Sequence, residues 1–151
     1  MSGLINSAGS KSGIIGSTEI PGGYEEGAWT PTGAGGFISL TISGTGSYTK
    51  IGNIIFLRGL FTINGTGTGS GDFSIAGLPY TTTSNGSYRS SISCYWSNLA
   101  SAVSEVTGFI QDASKYLYFR EGSTTGEGAD LGAHIDSGSY FFLSANYQVD
   151  S

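Results

Sequence analysis

His134 is the single histidine of the chain, so a metal centre built on it would draw its other ligands from carboxylates such as Asp130 and Asp136. These stand four residues before it and two after it, a spacing that puts the three on no common face of a regular element. A bound metal is therefore not expected. A Ser-His-Asp arrangement would need a nucleophile fixed on a sharp turn, and no G-x-S-x-G segment supplies one. Glycoside hydrolysis needs two carboxyl groups a short distance apart across one bond. Glu25 and Glu26 are adjacent, which in a strand sends them to opposite faces, and Glu121, Glu127, Asp130 and Asp136 fall in a glycine-rich stretch that reads as a solvated acidic loop. No G-x-x-x-x-G-K-[ST] phosphate cradle occurs among the glycine runs. The expectation is a protein that is not an enzyme and uses neither cofactor nor metal.

Aromatic residues carry more information. Nine Tyr, eight Phe and two Trp make 13% of a chain in which only 11% of residues are charged. An aromatic face stacks on a sugar ring while neighbouring amides bond its hydroxyls. Tyr88, Tyr95 and Trp96, with Asn85 and Asn98, are the glycan-binding candidates on that ground. The competing use of the same rings is as filling for a core or a subunit interface.

The elements that must position these residues are strands. The chain has 151 residues, the size of one domain, with 26 glycines and no segment patterned as a long helix. From Tyr24 onward, β-branched and aromatic residues alternate with polar ones and end on glycine clusters. This places strands near Gly36–Ser43, Ser47–Gly52, Asn53–Asn64, Asp72–Ala76, Ser87–Tyr95, Glu105–Gln111, Lys115–Glu121 and Ser139–Val149. Turns are expected at Gly44–Gly46 and Gly65–Gly71, and short helical turns at Ser97–Ser104 or Ala129–His134. In the longest strand, Ile55, Leu57, Gly59, Phe61 and Ile63 form the core candidate face, opposite Phe56, Arg58, Leu60, Thr62 and Asn64. Leu117 and Phe119 likewise oppose a ladder of Tyr116, Tyr118 and Arg120. About eight antiparallel strands predict an all-β, two-sheet sandwich of the jelly-roll kind.

Residues 1–23 are rich in glycine and serine, with apolar pairs only at Leu4-Ile5 and Ile14-Ile15. They read as an extended arm preceding a β-sandwich domain at 24–151, the two pairs being its docking points. A net charge of −5, from 6 Lys and Arg against 11 Asp and Glu, argues against a nucleic-acid partner. Cys94 is the only cysteine, which excludes an internal disulfide. The absence of a long apolar run and of a basic, apolar leader argues against a membrane partner and against secretion.

Three segments follow one another between Tyr24 and Tyr80: YEEGAWTPT, GSYTKIGNIIFLRGLFTI and GTGTGSGDFSIAGLPY. This succession resembles a domain near the C-terminus of many tailed-phage fibre and virion-surface proteins, and SKSGIIGSTEI resembles the segment that leads into it. The resemblance implies a homotrimeric β-sandwich on the virion surface. Its matching residues, Glu25, Glu26, Trp29, Pro31, Tyr48, Lys50, Gly52, Asn53, Gly77, Leu78 and Pro79, read as scaffold, with Trp29-Thr30-Pro31 pinning an edge strand and Gly52-Asn53 turning into the long strand. The resemblance fades beyond Tyr80, which puts the binding surface at Ser84–Trp96 and Gly122–Ser137. Two functions fit. One is a trimeric fibre or tail-tip module that binds a bacterial surface polysaccharide without catalysis. The other is a capsid decoration protein that stabilises the head through trimer contacts and an arm laid on other virion proteins.

Overall fold

A computed structural model describes residues 23–35, 40–65, 71–84, 89–99, 103–123, 128 and 130–150. The arm, with Leu4, Ile5, Ile14 and Ile15, lies outside the described residues, as do Asn85, Tyr88 and Glu127. The described residues form nine strands: β1 (Tyr24–Trp29), β2 (Thr32–Gly35), β3 (Leu40–Ile51), β4 (Ile54–Gly65), β5 (Phe73–Ala76), β6 (Ser90–Ser97), β7 (Val106–Ile110), β8 (Leu117–Glu121) and β9 (Tyr140–Gln148). A 3-10 turn at Leu131–His134 precedes β9. It agrees with the helical turn expected at Ala129–His134, whereas no helix forms in the described part of Ser97–Ser104.

Every pairing is antiparallel, and hydrogen bonds run through all nine strands in the order β1-β3-β4-β9-β6-β7-β8-β5-β2. The expected two-sheet sandwich of about eight strands is instead one continuous sheet. The reason lies in β9, which pairs with β4 along one edge and β6 along the other, leaving no break where two sheets would separate. The sheet must also curl. Strands β1 and β2 occupy its two opposite edges, yet only Thr30 and the buried Pro31 separate them. Proline has no N–H to donate, so it fits this corner, where the chain leaves one edge for the other.

The curl buries one face. Ile55, Leu57, Phe61 and Ile63 of β4 are sealed from solvent, as are Leu117 and Phe119 of β8, in agreement with the alternation of the sequence. Phe61 and Phe141, on adjacent strands β4 and β9, stack with centroids 5.0 Å apart. Phe73 of β5 and Phe119 of β8 meet these rings from the far side of the sheet, at 5.4 Å from Phe141 in each case. Each buried phenyl ring stabilises the fold by about 1.5–3 kcal/mol relative to leaving it in water.

Gly44-Thr45-Gly46 is not a turn. Strand β3 runs through it without a break, in register with β4 from Leu40↔Gly65 to Ile51↔Ile54. Glycine serves close approach here. Gly46 pairs with Gly59 across β3 and β4, and the Trp29 indole lies over both, so that a Cβ on either would strike the ring. The Trp29 N–H donates to the Arg58 carbonyl at 2.8 Å. The Gly52-Asn53 turn forms as expected, with Gly52 at φ +62°, a conformation that a Cβ would strain.

Candidate functional site

The scaffold residues converge on two small clusters. In the first, the Tyr48 hydroxyl donates to one oxygen of the Glu25 carboxylate, and the Tyr80 hydroxyl donates to the other at 2.5 Å. The Lys50 ammonium lies 5.5 Å from the centre of the Tyr80 ring. Three sequence segments far apart in the chain thus meet at one carboxylate. Hydrogen bonds from Tyr48, and then from Tyr80, hold the Glu25 carboxyl below its ordinary range, and the same bond pushes Tyr48 up to about 12. The ring of Tyr48 also covers Gly27, where a Cβ would overlap it. In the second cluster, Trp29 caps the Gly46–Gly59 pair while Leu78 is buried in the core. Gly77, at φ +99°, packs against the Thr30 carbonyl.

Glu25 and Glu26 point to opposite faces, as adjacent strand residues must. Glu26 accepts a hydrogen bond from the Tyr24 hydroxyl. Arg120 pairs with Asp72 at 2.7 Å and with Asp130, and His134 Nε2 lies 3.1 Å from Glu121 Oε1. That oxygen is buried and has no hydrogen-bond partner among the described residues. His134, Asp130 and Asp136 do not assemble as metal ligands among the described residues.

The described glycan candidates separate. Tyr95 and Trp96 are consecutive in β6, so Tyr95 stands on the outer face, 62% exposed, while Trp96 packs against the core. They make no common platform. Asn98, at φ +59°, donates to the Gly138 carbonyl at 3.2 Å, and the Ser139 hydroxyl donates to the Asn98 carbonyl at 2.7 Å. Most of the segment Ser84–Trp96 is strand β6 itself, which runs from one end of the sheet to the other. Ser97 pairs with Tyr140 and Val106 pairs with Glu121, so Gly122 after β8 and Ser139 before β9 stand at the end of the sheet where β6 finishes, near Trp96. Ser90, where β6 begins, is about 25 Å from that end along the strand.

What the sequence reading passed over is the outer face of β1-β3-β4-β9-β6. Cross-strand registers lay its side chains in rows. One row runs Ala28, Ser47, Arg58, Ser144, Ser93. Next to it on one side lie Thr45, Leu60, Phe142 and Tyr95, and on the other Glu26, Thr49, Phe56 and Asn146. Tyr24, Ile51, Ile54 and Gln148 complete one end. Seven large apolar side chains stand exposed among the described residues, and all but Tyr116 are on this face. Two shallow grooves of about 1000 and 660 Å³ meet along Ser47, Arg58, Ser144 and Ser93. A signal was present in Tyr140-Phe141-Phe142-Leu143, since four apolar residues in succession require a cover on both faces of a strand.

Neither a protein-family model nor a curated protein sequence matches the chain. Its fold is similar to that in the crystal structure of the Dettilon tailspike protein (gp208), with a TM-score of 0.71 and 22% sequence identity. That likeness covers 83% of this chain and 24% of the tailspike chain, so this chain spans about a quarter of the other's length.

Proposed function

We propose that this chain is a structural protein of a phage virion, a homotrimeric fibre or tail-tip module that binds a bacterial surface glycan through its loops without catalysis. The observation that carries the reading is the fold it has in common with part of a tailspike protein. The sequence resemblance between Tyr24 and Tyr80 supports it from a separate direction, because those residues build the Glu25 and Trp29 clusters that fix the edge strand. The carboxylates support a binding role over a hydrolytic one: Glu25 is held by two tyrosines, and Asp72 and Asp130 by Arg120. The glycan surface in this reading is the sheet end where Asn98 bonds the Gly138 carbonyl. The arm, through Leu4, Ile5, Ile14 and Ile15, attaches the module to other virion proteins.

The test uses the purified protein and capsular polysaccharide or lipopolysaccharide from the bacterium on which the phage grows. Retention of the protein on immobilised polysaccharide, with no reducing ends released on prolonged incubation, is the expected result. Release of reducing ends, or no retention at all, would overturn the reading of a non-catalytic glycan binder.

A further inference from the structure

The outer face of β1-β3-β4-β9-β6 holds one cation, Arg58, and one anion, Glu26, among rows of hydroxyl and apolar side chains. Phe142 is 48% and Phe56 is 49% exposed on it. Depletion of charge together with exposed aromatic rings and an arginine is the composition of the centre of a protein interface. The extent also fits. Five strands at about 4.8 Å spacing, crossed by those four rows and by a fifth of Ser43, Thr62, Tyr140 and Ser97, cover on the order of 700 Å², close to the roughly 800 Å² that each partner gives to a stable complex. Arg58 has no ion pair among the described residues, and Glu26 lies on the far side of β3, about 10 Å across the sheet. The two charges make no ion pair with each other among the described residues.

We infer that a second copy of this chain seats on this face, with Arg58 of one copy against Glu26 of the next. Each copy then offers one charge of each sign at separate places, and the contact repeats around a closed ring. The apolar rows supply the area, and the one charge pair sets the register. Tyr95 thereby belongs to the contact between copies and leaves the glycan-binding set. The inference deepens the self-association in the reading above and rests on that part of it alone.

Sedimentation equilibrium on the full chain tests it, comparing the wild type with Arg58→Glu, Glu26→Arg and the double exchange. The expected wild type is an assembly of three chains. Each single variant raises the dissociation constant by about tenfold or more, and the double exchange recovers most of that loss. Both positions are exposed, and recovery in the double variant separates a lost contact from a damaged fold. A monomeric wild type, single variants that associate like it, or a double variant no better than the singles would overturn the inference. If the wild type is monomeric and Arg58→Glu abolishes retention on the host polysaccharide, the face belongs to the glycan. That outcome overturns the inference and leaves the virion reading standing, whereas absence of the protein from virions would defeat that reading without touching the contact.

Discussion

The Trp29 indole donates its N–H to the backbone carbonyl of Arg58 at 2.8 Å, although the two side chains lie on opposite faces of the sheet. Trp29 is thus the core-side support for the position whose guanidinium stands at the centre of the outer face. The support depends on two glycines. Gly46→Ala or Gly59→Ala puts a methyl group into the ring, and each is expected to destabilise the domain by roughly 1–3 kcal/mol. Urea unfolding followed by tryptophan fluorescence measures this, and the native emission should shift as the ring is displaced.

Glu25 predicts an acid dependence. Its carboxyl is held below the ordinary value of 4.5 by the Tyr48 and Tyr80 hydroxyls, so the folded state binds a proton less readily than the unfolded chain. The resulting stability is complete above that ordinary value and is lost as pH falls through the lowered one. Urea midpoints measured from neutral pH downward should fall less steeply for Glu25→Gln than for the wild type. An unchanged slope would show that the cluster does not form.

Tyr48 predicts the converse at high pH. Its hydroxyl is raised to about 12, so the contribution is complete below the ordinary tyrosine value of 10.0 and is lost as pH rises towards 12. Ultraviolet titration should find tyrosines that ionise above the ordinary range in the folded protein. Tyr147, shifted upward by burial, should be among them.

Phe141 and Phe142 are neighbours in β9 with opposite duties. Phe141 is sealed among Phe61, Phe73 and Phe119, so Phe141→Ala should cost about 3–5 kcal/mol of folding stability. Phe142→Ala should leave the unfolding of the isolated chain within about 0.5 kcal/mol and weaken association. Chemical unfolding of dilute protein, read beside sedimentation, separates the two effects.

Cys94 is partly buried, and burial pushes its thiol up from the ordinary value. Alkylation by iodoacetamide at neutral pH should be slow in the native protein and fast in urea. Rapid native labelling would contradict the packing of β6 against the core.

The strands with strict alternation were legible in the sequence. Ile55, Leu57, Phe61 and Ile63 declared their face because the other parity carries the polar Arg58, Thr62 and Asn64. The alternation of the sequence marks neither β1 nor β2, and only the resemblance points to an edge strand at Trp29-Thr30-Pro31, since Glu-Glu-Gly and Gly-Ala-Gly carry no β-branched signal and owe their pairing to partners at opposite edges. The Gly44-Thr45-Gly46 segment misled for a physical reason: glycine permits both a turn and the close approach of a ring, and only Trp29, distant in sequence, decides between them. The glycan candidates were chosen by residue type without knowledge of parity, and parity put Tyr95 and Trp96 on opposite faces. The outer face needed the registers of five strands before Leu60, Phe142 and Tyr95 could be seen in one row.

The most direct measurement is immunogold electron microscopy of intact virions with an antibody raised against the folded domain. Gold is expected at the tail or fibre ends. Gold distributed over the head, or its absence from every virion, would contradict the fibre or tail-tip reading.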